Sequence, residues 1–145
     1  MENPKEALKV DIGCGREKKP GFVGLDIDVE SDADVVASAL SLPFKDNSLE
    51  EINCSHLVEH FTPDDAQKFF NEIYRVLKLG GKAVMKIDRD WSKKRLLKKD
   101  PDHKKRYSAK EIKEMVGMFS FLKVEKKIYR YGWHLRTKIF VELRK

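Results

Sequence analysis

The sequence predicts an α/β fold with a mostly parallel, Rossmann-like sheet, because short apolar segments alternate with helical patterns along its 145 residues. A glycine pair in Gly13-Cys14-Gly15 directly follows the first apolar segment, and glycine lets the backbone turn sharply and approach a ligand. Two later apolar segments, 121–131 and 134–143, are joined so closely at Gly132 that they must be antiparallel. The length predicts one domain, residues 1–145.

The first half of the chain is predicted to hold four short strands. We expect them at 7–12, 22–27, 34–37 and 51–54. Pro43 and the cluster Asp46-Asn47-Ser48 favour a loop before the fourth strand. Residues 16–21 are too few for a crossover helix, since a helix of average length takes about 11–12 residues. The connection between the first two strands is therefore predicted to be truncated.

A helix is predicted to begin at Thr62, which is a good N-cap residue and precedes Pro63 at the first helical position. Apolar residues between 66 and 77 recur at helical spacing and mark its buried face. Leu79-Gly80-Gly81 is predicted to end this helix, and residues 82–87 to form a fifth strand.

A second helix is predicted from Ser108 to Gly117, because Ser108 and Glu111 have the spacing of a capping box. The stretch before it, Lys93–Arg106, is strongly basic. It is predicted either to bind the phosphates of a nucleic acid or to form an ordinary solvated surface.

Asp26 ends the second predicted strand, 11 residues after Gly15. A carboxylate at that place can accept hydrogen bonds from a ribose, so the two features predict a nucleoside-binding edge. A dinucleotide site is excluded, because it requires a third glycine where the chain has Lys18 and an acid about 20 residues further on. The alternative is an ordinary glycine turn with Asp26 in a solvated loop.

Composition limits the classes of protein that the chain can belong to. A net charge of +6 favours an acidic partner such as nucleic acid, while the Lys/Glu-rich, amide-poor composition is also typical of heat-adapted proteins. No apolar run approaches the roughly 20 residues of a membrane span, and no export signal is recognisable. Cys14 and Cys54 lack metal-ligand spacing. We therefore expect a cytoplasmic protein with reduced thiols, no metal and no membrane contact.

Five segments follow one another in an order typical of one family. They are Val10–Gly15, Gly24–Asp26, Leu42–Phe44, Ser55–Phe61 and Tyr74–Gly81. On these segments the chain resembles the class I S-adenosylmethionine-dependent methyltransferases, of the small methyltransferase domain 11 type. The resemblance implies a sheet of seven strands with an antiparallel hairpin at one edge, S-adenosyl-L-methionine as cofactor, and an acceptor that it does not identify.

The same resemblance implies the cofactor contacts. The methionine and ribose part is expected to lie against Gly13, Cys14, Gly15, Ser55 and His56. Asp11 is expected to support the glycine turn or to reach the amino group, and Asp26 to bind the ribose hydroxyls.

On the adenine side, the resemblance implies that Ile27 packs on the ring. Relatives usually carry an aspartate where this chain has Ser38, so adenine recognition is expected to use Ser38 and the backbone of Ala39. The truncated crossover and the short segment before the first strand predict an open cofactor site. We expect a second subunit, a protein partner or a bulky substrate to cover it.

His56 and His60 are the candidate catalytic residues, because a histidine that titrates near neutrality suits a general base. Glu59 lies between them, and Asp88 and Trp91 follow the fifth strand, where they would orient or stack on an acceptor. The alternative is a structural turn at 59–61, with Asp88 only offsetting nearby lysines.

Two functions of other classes stay open. One is a catalytically silent module that binds S-adenosylmethionine and works with a protein partner. The other is a basic nucleic-acid-binding domain that retains the fold without the cofactor.

Overall fold

The computed structural model describes residues 7–89, 103–132 and 134–145. Their strands are β1 (Lys9–Ile12), β2 (Val23–Asp26), β3 (Val35–Val36), β4 (Leu49–Ser55), β5 (Leu77–Arg89), β6 (Phe121–Tyr131) and β7 (His134–Arg144). The helices are α1 (Pro63–Val76) and α2 (Ala109–Met115), with a 3-10 turn at Val58–His60. Within the described ranges, no helix is long and apolar enough to cross a membrane.

The strands form one seven-stranded sheet in the order β3-β2-β1-β4-β5-β7-β6. The pairs from β3 to β5 are parallel, whereas β7 pairs antiparallel with both β5 and β6. The predicted fold class is confirmed. Strand order reverses between β1 and β4, and ligands of such sheets bind outside the carboxyl ends of the strands at that reversal.

The core is formed by the apolar strand residues and by one face of α1. Phe69, Phe70 and Ile73 are fully buried on that face. Burying a side chain of this size contributes roughly 1.5–3 kcal/mol to folding. The hydroxyl of Thr62 accepts a hydrogen bond from the Asp65 N–H at 3.3 Å, which confirms the predicted start of α1.

The predicted end of α1 at Leu79-Gly80-Gly81 is wrong, because the helix ends at Val76. Leu77 is already extended and pairs with Leu49 of β4. A Cβ on Gly81 would lie 2.9 Å from the carbonyl oxygen of Lys78 and 3.1 Å from that of Leu49. The glycines therefore allow β5 to bulge closely past β4, instead of capping a helix.

Residues 13–22 connect β1 to β2 without a helix, as predicted. Asp11 is only 4% exposed, and its carboxylate holds this connection by hydrogen bonds. One carboxylate oxygen accepts a hydrogen bond from the Lys19 N–H at 2.8 Å, and the other accepts one from the Asn53 amide at 2.6 Å. A buried carboxylate thus fixes this short loop in place of a crossover helix.

Candidate functional site

A cavity of about 220 Å³ lies at the carboxyl ends of β1, β2 and β3. It is lined by Gly13, Leu25, Asp26, Ile27, Ala37, Ser38, Ala39, Leu40, Leu57, His60, Phe61, Asp65 and Lys104. We call it the nucleoside cavity. Five of the residues expected to contact the cofactor are among these: Gly13, Asp26, Ile27, Ser38 and Ala39.

The carboxylate of Asp26 connects the two loops that border the nucleoside cavity. Its Oδ2 accepts a hydrogen bond from the Gly15 N–H at 2.9 Å, and its Oδ1 accepts one from the Asp28 N–H at 2.9 Å. Each oxygen of an ionised carboxylate has a second lone pair. Both oxygens can therefore still accept a hydrogen bond from a ligand hydroxyl.

The glycine turn requires a backbone conformation that side chains disfavour. Gly13 has φ +69° and Gly15 has φ +57°. A Cβ on Gly13 would come within 3.2 Å of the Leu57 side chain, which lines the same cavity. The Gly13 N–H donates to the Leu25 carbonyl at 2.7 Å, so the turn lies directly on the end of β2.

Ile27 and Ser38 border another part of the nucleoside cavity. The Ile27 side chain is 72% exposed, so an apolar surface is available to a flat ligand ring. The Ser38 hydroxyl accepts a hydrogen bond from the Leu40 N–H at 3.2 Å, which leaves its own hydrogen for a ligand acceptor.

Four other expected contacts, Asp11, Cys14, Gly15 and Ser55, are not among the described residues that line this cavity or the second cavity described below. Asp11 supports the turn, which is the first of its two expected roles. Cys14 is 9% exposed. Burial and the Asp26 carboxylate raise the pKa of its thiol to about 11, so the thiol is protonated at neutral pH.

A second cavity, of about 400 Å³, lies at the carboxyl ends of β4 and β5. It is lined by His56, Glu59, His60, Asp88, His103, Arg136 and Lys138. We call it the histidine cavity. His60 lines both cavities, which are therefore neighbours. The structure thus brings together the two candidate catalytic histidines and both acids that the sequence indicated beside them.

The His56 imidazole lies between the carboxylate of Glu59 and the amino group of Lys138. Its Nδ1 is 3.4 Å from Oε1 of Glu59, and its Nε2 is 3.3 Å from Nζ of Lys138. An ammonium group only donates hydrogen bonds, so this contact uses Nε2 as the acceptor and assigns the ring proton to Nδ1. His56 itself has φ +58°, and its N–H donates to the Lys86 carbonyl at 2.8 Å.

Glu59 is fully buried at the base of the histidine cavity. Its carbonyl oxygen accepts hydrogen bonds from the N–H groups of Lys104 at 2.9 Å and Lys105 at 3.3 Å. The Tyr107 hydroxyl donates to the Phe61 carbonyl at 2.7 Å. These bonds hold residues 103–107 against the 3-10 turn, and so place His103 and Lys104 in the walls of the two cavities.

Sequence reasoning missed three residues of the histidine cavity: His103, Arg136 and Lys138. Lys138 is paired with Asp88 across β5 and β7, so both side chains lie on one face of the sheet. The alternation of polar and apolar residues in β7 could have placed Arg136 and Lys138 on one face. That alternation could not have indicated that β5, with Asp88, is the strand that pairs with this part of β7.

Most of the basic stretch Lys93–Arg106 lies outside the described residues, as does Trp91. Its described cations take part in the fold. Lys104 lines the nucleoside cavity, and Nζ of Lys105 lies 2.7 Å from Oε1 of Glu111.

The crevice at the strand-order reversal and the seven-stranded sheet with its antiparallel edge define the class of protein. This is the fold of the class I S-adenosylmethionine-dependent methyltransferases. Residues 10–85, more than half of the chain, match the model of the methyltransferase domain family. The chain belongs to this family.

Individual proteins are similar to this chain in fold or in sequence. An S-adenosylmethionine-dependent methyltransferase from Archaeoglobus fulgidus superposes with a TM-score of 0.75 at 21% identity, over 97% of this chain and 87% of that one. An uncharacterized protein of Methanocaldococcus jannaschii is 32% identical over 60% of this chain. The ubiquinone/menaquinone biosynthesis C-methyltransferase of Desulfotalea psychrophila is 40% identical over 47% of this chain. The chain spans 43% of the Methanocaldococcus protein and 25% of the Desulfotalea enzyme.

Proposed function

We propose that this chain binds S-adenosyl-L-methionine in the nucleoside cavity and transfers its methyl group to an acceptor in the histidine cavity. The observation that carries the proposal is the junction of the two cavities at His60. A methyl donor in one cavity would lie beside an acceptor in the other, as an in-line displacement requires.

The geometry of the nucleoside cavity supports the proposed cofactor contacts. Asp26 accepts hydrogen bonds from the ribose hydroxyls with the lone pairs that Gly15 and Asp28 leave available. Ile27 packs on the adenine ring, while the Ser38 hydroxyl and the Ala39 backbone bind its polar edge. The methionine part crosses the glycine turn, where the absence of side chains allows close approach.

In the transfer step, a lone pair of the acceptor attacks the methyl carbon. The carbon–sulfur bond breaks, its electron pair stays on sulfur, and S-adenosylhomocysteine is formed. Because the sulfonium is a good leaving group, positioning supplies much of the acceleration. An acceptor that holds a proton transfers it to a base, and His60 is our first candidate because it lines both cavities. His56 is the second, although Glu59 and Lys138 already occupy its ring nitrogens.

The cofactor assignment is tested by thermal unfolding and calorimetric titration with S-adenosylhomocysteine, with NAD as the control ligand. A ligand at 100 times its dissociation constant stabilises a protein by about 2.7 kcal/mol. We expect stabilisation by S-adenosylhomocysteine and none by NAD. Equal responses to both ligands, or no response to either, would reject the proposed cofactor site.

Transfer is tested separately, with methyl-labelled cofactor and fractions of small molecules, protein and RNA. Label in one fraction identifies the acceptor class. We expect His60→Ala to reduce the transfer rate and to leave S-adenosylhomocysteine affinity within twofold. Cofactor binding without label transfer to any fraction would favour the silent module. The nucleic-acid prediction for Lys93–Arg106 requires an RNA or DNA affinity that falls steeply with salt.

A further inference from the structure

We propose that the histidine cavity binds a divalent transition-metal ion through His56, Glu59 and Asp88. One ligand atom from each of these residues lies within 4.8 Å of the other two. Two atoms bound to one ion at about 2.0–2.2 Å are at most about 4.4 Å apart, so a small adjustment completes the site. The His56 side chain is 42% exposed and is able to make that adjustment.

The buried carboxylate of Glu59 is an independent indication of a cation. Its side chain is fully buried, and its Oε2 has no hydrogen-bond partner among the described residues. A buried carboxylate oxygen without a partner is costly, because it loses hydration without compensation. Since Glu59 lines the cavity, an ion bound there would give this oxygen a partner.

The two acids and the histidine are held by the backbone of the sheet and the adjacent turn. The Asp88 N–H donates to Oε1 of Glu59 at 3.3 Å, which ties the two acids together. Asp88 is only 8% exposed. The His56 N–H donates to the Lys86 carbonyl at 2.8 Å, so all three residues are anchored to the end of β5. The three proposed ligands are therefore held in place by the backbone, unlike the side chains of an acidic cluster on a protein surface.

The donor set favours a transition metal over magnesium or calcium. Magnesium and calcium prefer oxygen ligands alone, whereas imidazole suits zinc, iron and copper. Three of the four histidines in the chain line this one cavity, and the rings of His60 and His103 lie 4.6 Å apart by their centroids. The sequence does not indicate this site, because its ligands come together only where β4, the 3-10 turn and β5 meet.

Arg136 and Lys138 line the same cavity, and their side chains carry positive charge like the proposed metal ion. The ion is expected to bind Nδ1 of His56, which faces Glu59. The ring proton then lies on Nε2, so the Lys138 ammonium has to turn away from that nitrogen. The two cations reduce the attraction for the ion, so we expect weaker binding than in a site that lacks them.

The test is calorimetric titration of the chelator-treated full chain with ZnCl₂, MnCl₂ and MgCl₂, without cofactor. We expect one zinc or manganese ion per chain and at least tenfold weaker magnesium binding. Glu59→Gln and His56→Ala should each weaken zinc binding at least tenfold, whereas Glu125→Gln, on β6, should change it less than twofold. Cobalt(II) provides a spectroscopic readout, since its visible absorption should be lost in His56→Ala.

Zinc binding at unchanged affinity in both His56→Ala and Glu59→Gln, or no stoichiometric binding of zinc or manganese, would overturn the proposal. Should Glu59→Gln fail to fold, the exposed His56→Ala variant decides the question alone. Titration with S-adenosylhomocysteine is run on the same samples. If the chain binds S-adenosylhomocysteine but no zinc or manganese, this inference fails while the proposed cofactor site stands.

Discussion

Oδ2 of Asp26 accepts a hydrogen bond from the backbone N–H of Gly15 at 2.9 Å, so the carboxylate proposed to bind the ribose and the glycine turn form one unit. In this chain the unit is built without a helix between β1 and β2. The buried carboxylate of Asp11 holds the connecting loop through Lys19, and Asp26 holds its beginning through Gly15. The side of the nucleoside cavity formed by this loop therefore depends on two carboxylates.

Asp26→Asn should weaken S-adenosylhomocysteine binding at least tenfold. An amide has one acceptor atom where the carboxylate has two, so it cannot satisfy Gly15, Asp28 and two ribose hydroxyls together. Calorimetric titration measures the change. Glu17→Gln, an exposed acid of the same loop, is the matched control and should bind normally. Unchanged affinity in Asp26→Asn would remove Asp26 from the site.

The sequence was sufficient for those parts of the fold and site that depend on local chemistry. The glycine turn and the position of Asp26 could be predicted because neighbours along the chain determine them. The end of α1 could not, since Leu77 is extended by pairing with Leu49. Lys138 could not be placed either, because its position beside Asp88 depends on pairing between strands distant in sequence.

Gly13→Ala should lower both stability and cofactor affinity. A non-glycine residue in the left-handed conformation costs roughly 1–2 kcal/mol, and here the added methyl group also presses on Leu57. Gly21→Ala is a matched control, because Gly21 has φ +78° but nothing within 4 Å of an added Cβ. We expect both variants to unfold at lower urea concentration and only Gly13→Ala to lose affinity. Equal affinity in the two variants would contradict the proposed binding of the cofactor against the Gly13 turn.

Glu111 should make stability depend on pH in the acid range. Hydrogen bonds lower the pKa of its carboxyl from 4.5 to about 2. The bond from Lys105 has the largest effect, and the bonds from the N–H and hydroxyl of Ser108 add to it. A pKa that is lower in the folded state stabilises the fold above the unfolded value, and this contribution is lost as the pH falls through the folded value. Glu111→Gln should therefore be less stable than the unmodified chain at pH 7, and the difference should shrink between pH 4.5 and about 2.

Urea unfolding at several pH values measures that difference. Glu114→Gln in the same helix is the control, because Glu114 is 66% exposed and lies 4.0 Å from Lys110. We expect this control to show little change at any pH. A stability difference for Glu111→Gln that stays constant down to pH 2 would exclude the proposed ionic contribution.

Tyr107→Phe should loosen residues 103–107, which contribute His103 to the histidine cavity and Lys104 to the nucleoside cavity. The Tyr107 ring is fully buried, and its hydroxyl donates to the Phe61 carbonyl at 2.7 Å. Losing the donor leaves a partly buried carbonyl without this partner, and a net hydrogen bond contributes about 0.5–1.5 kcal/mol. The amides of Lys104 and Lys105, which donate to the Glu59 carbonyl, should then exchange with deuterium faster. Tyr129→Phe on β6 should leave that exchange unchanged, and equal rates in both variants would show that Tyr107 does not hold residues 103–107 in place.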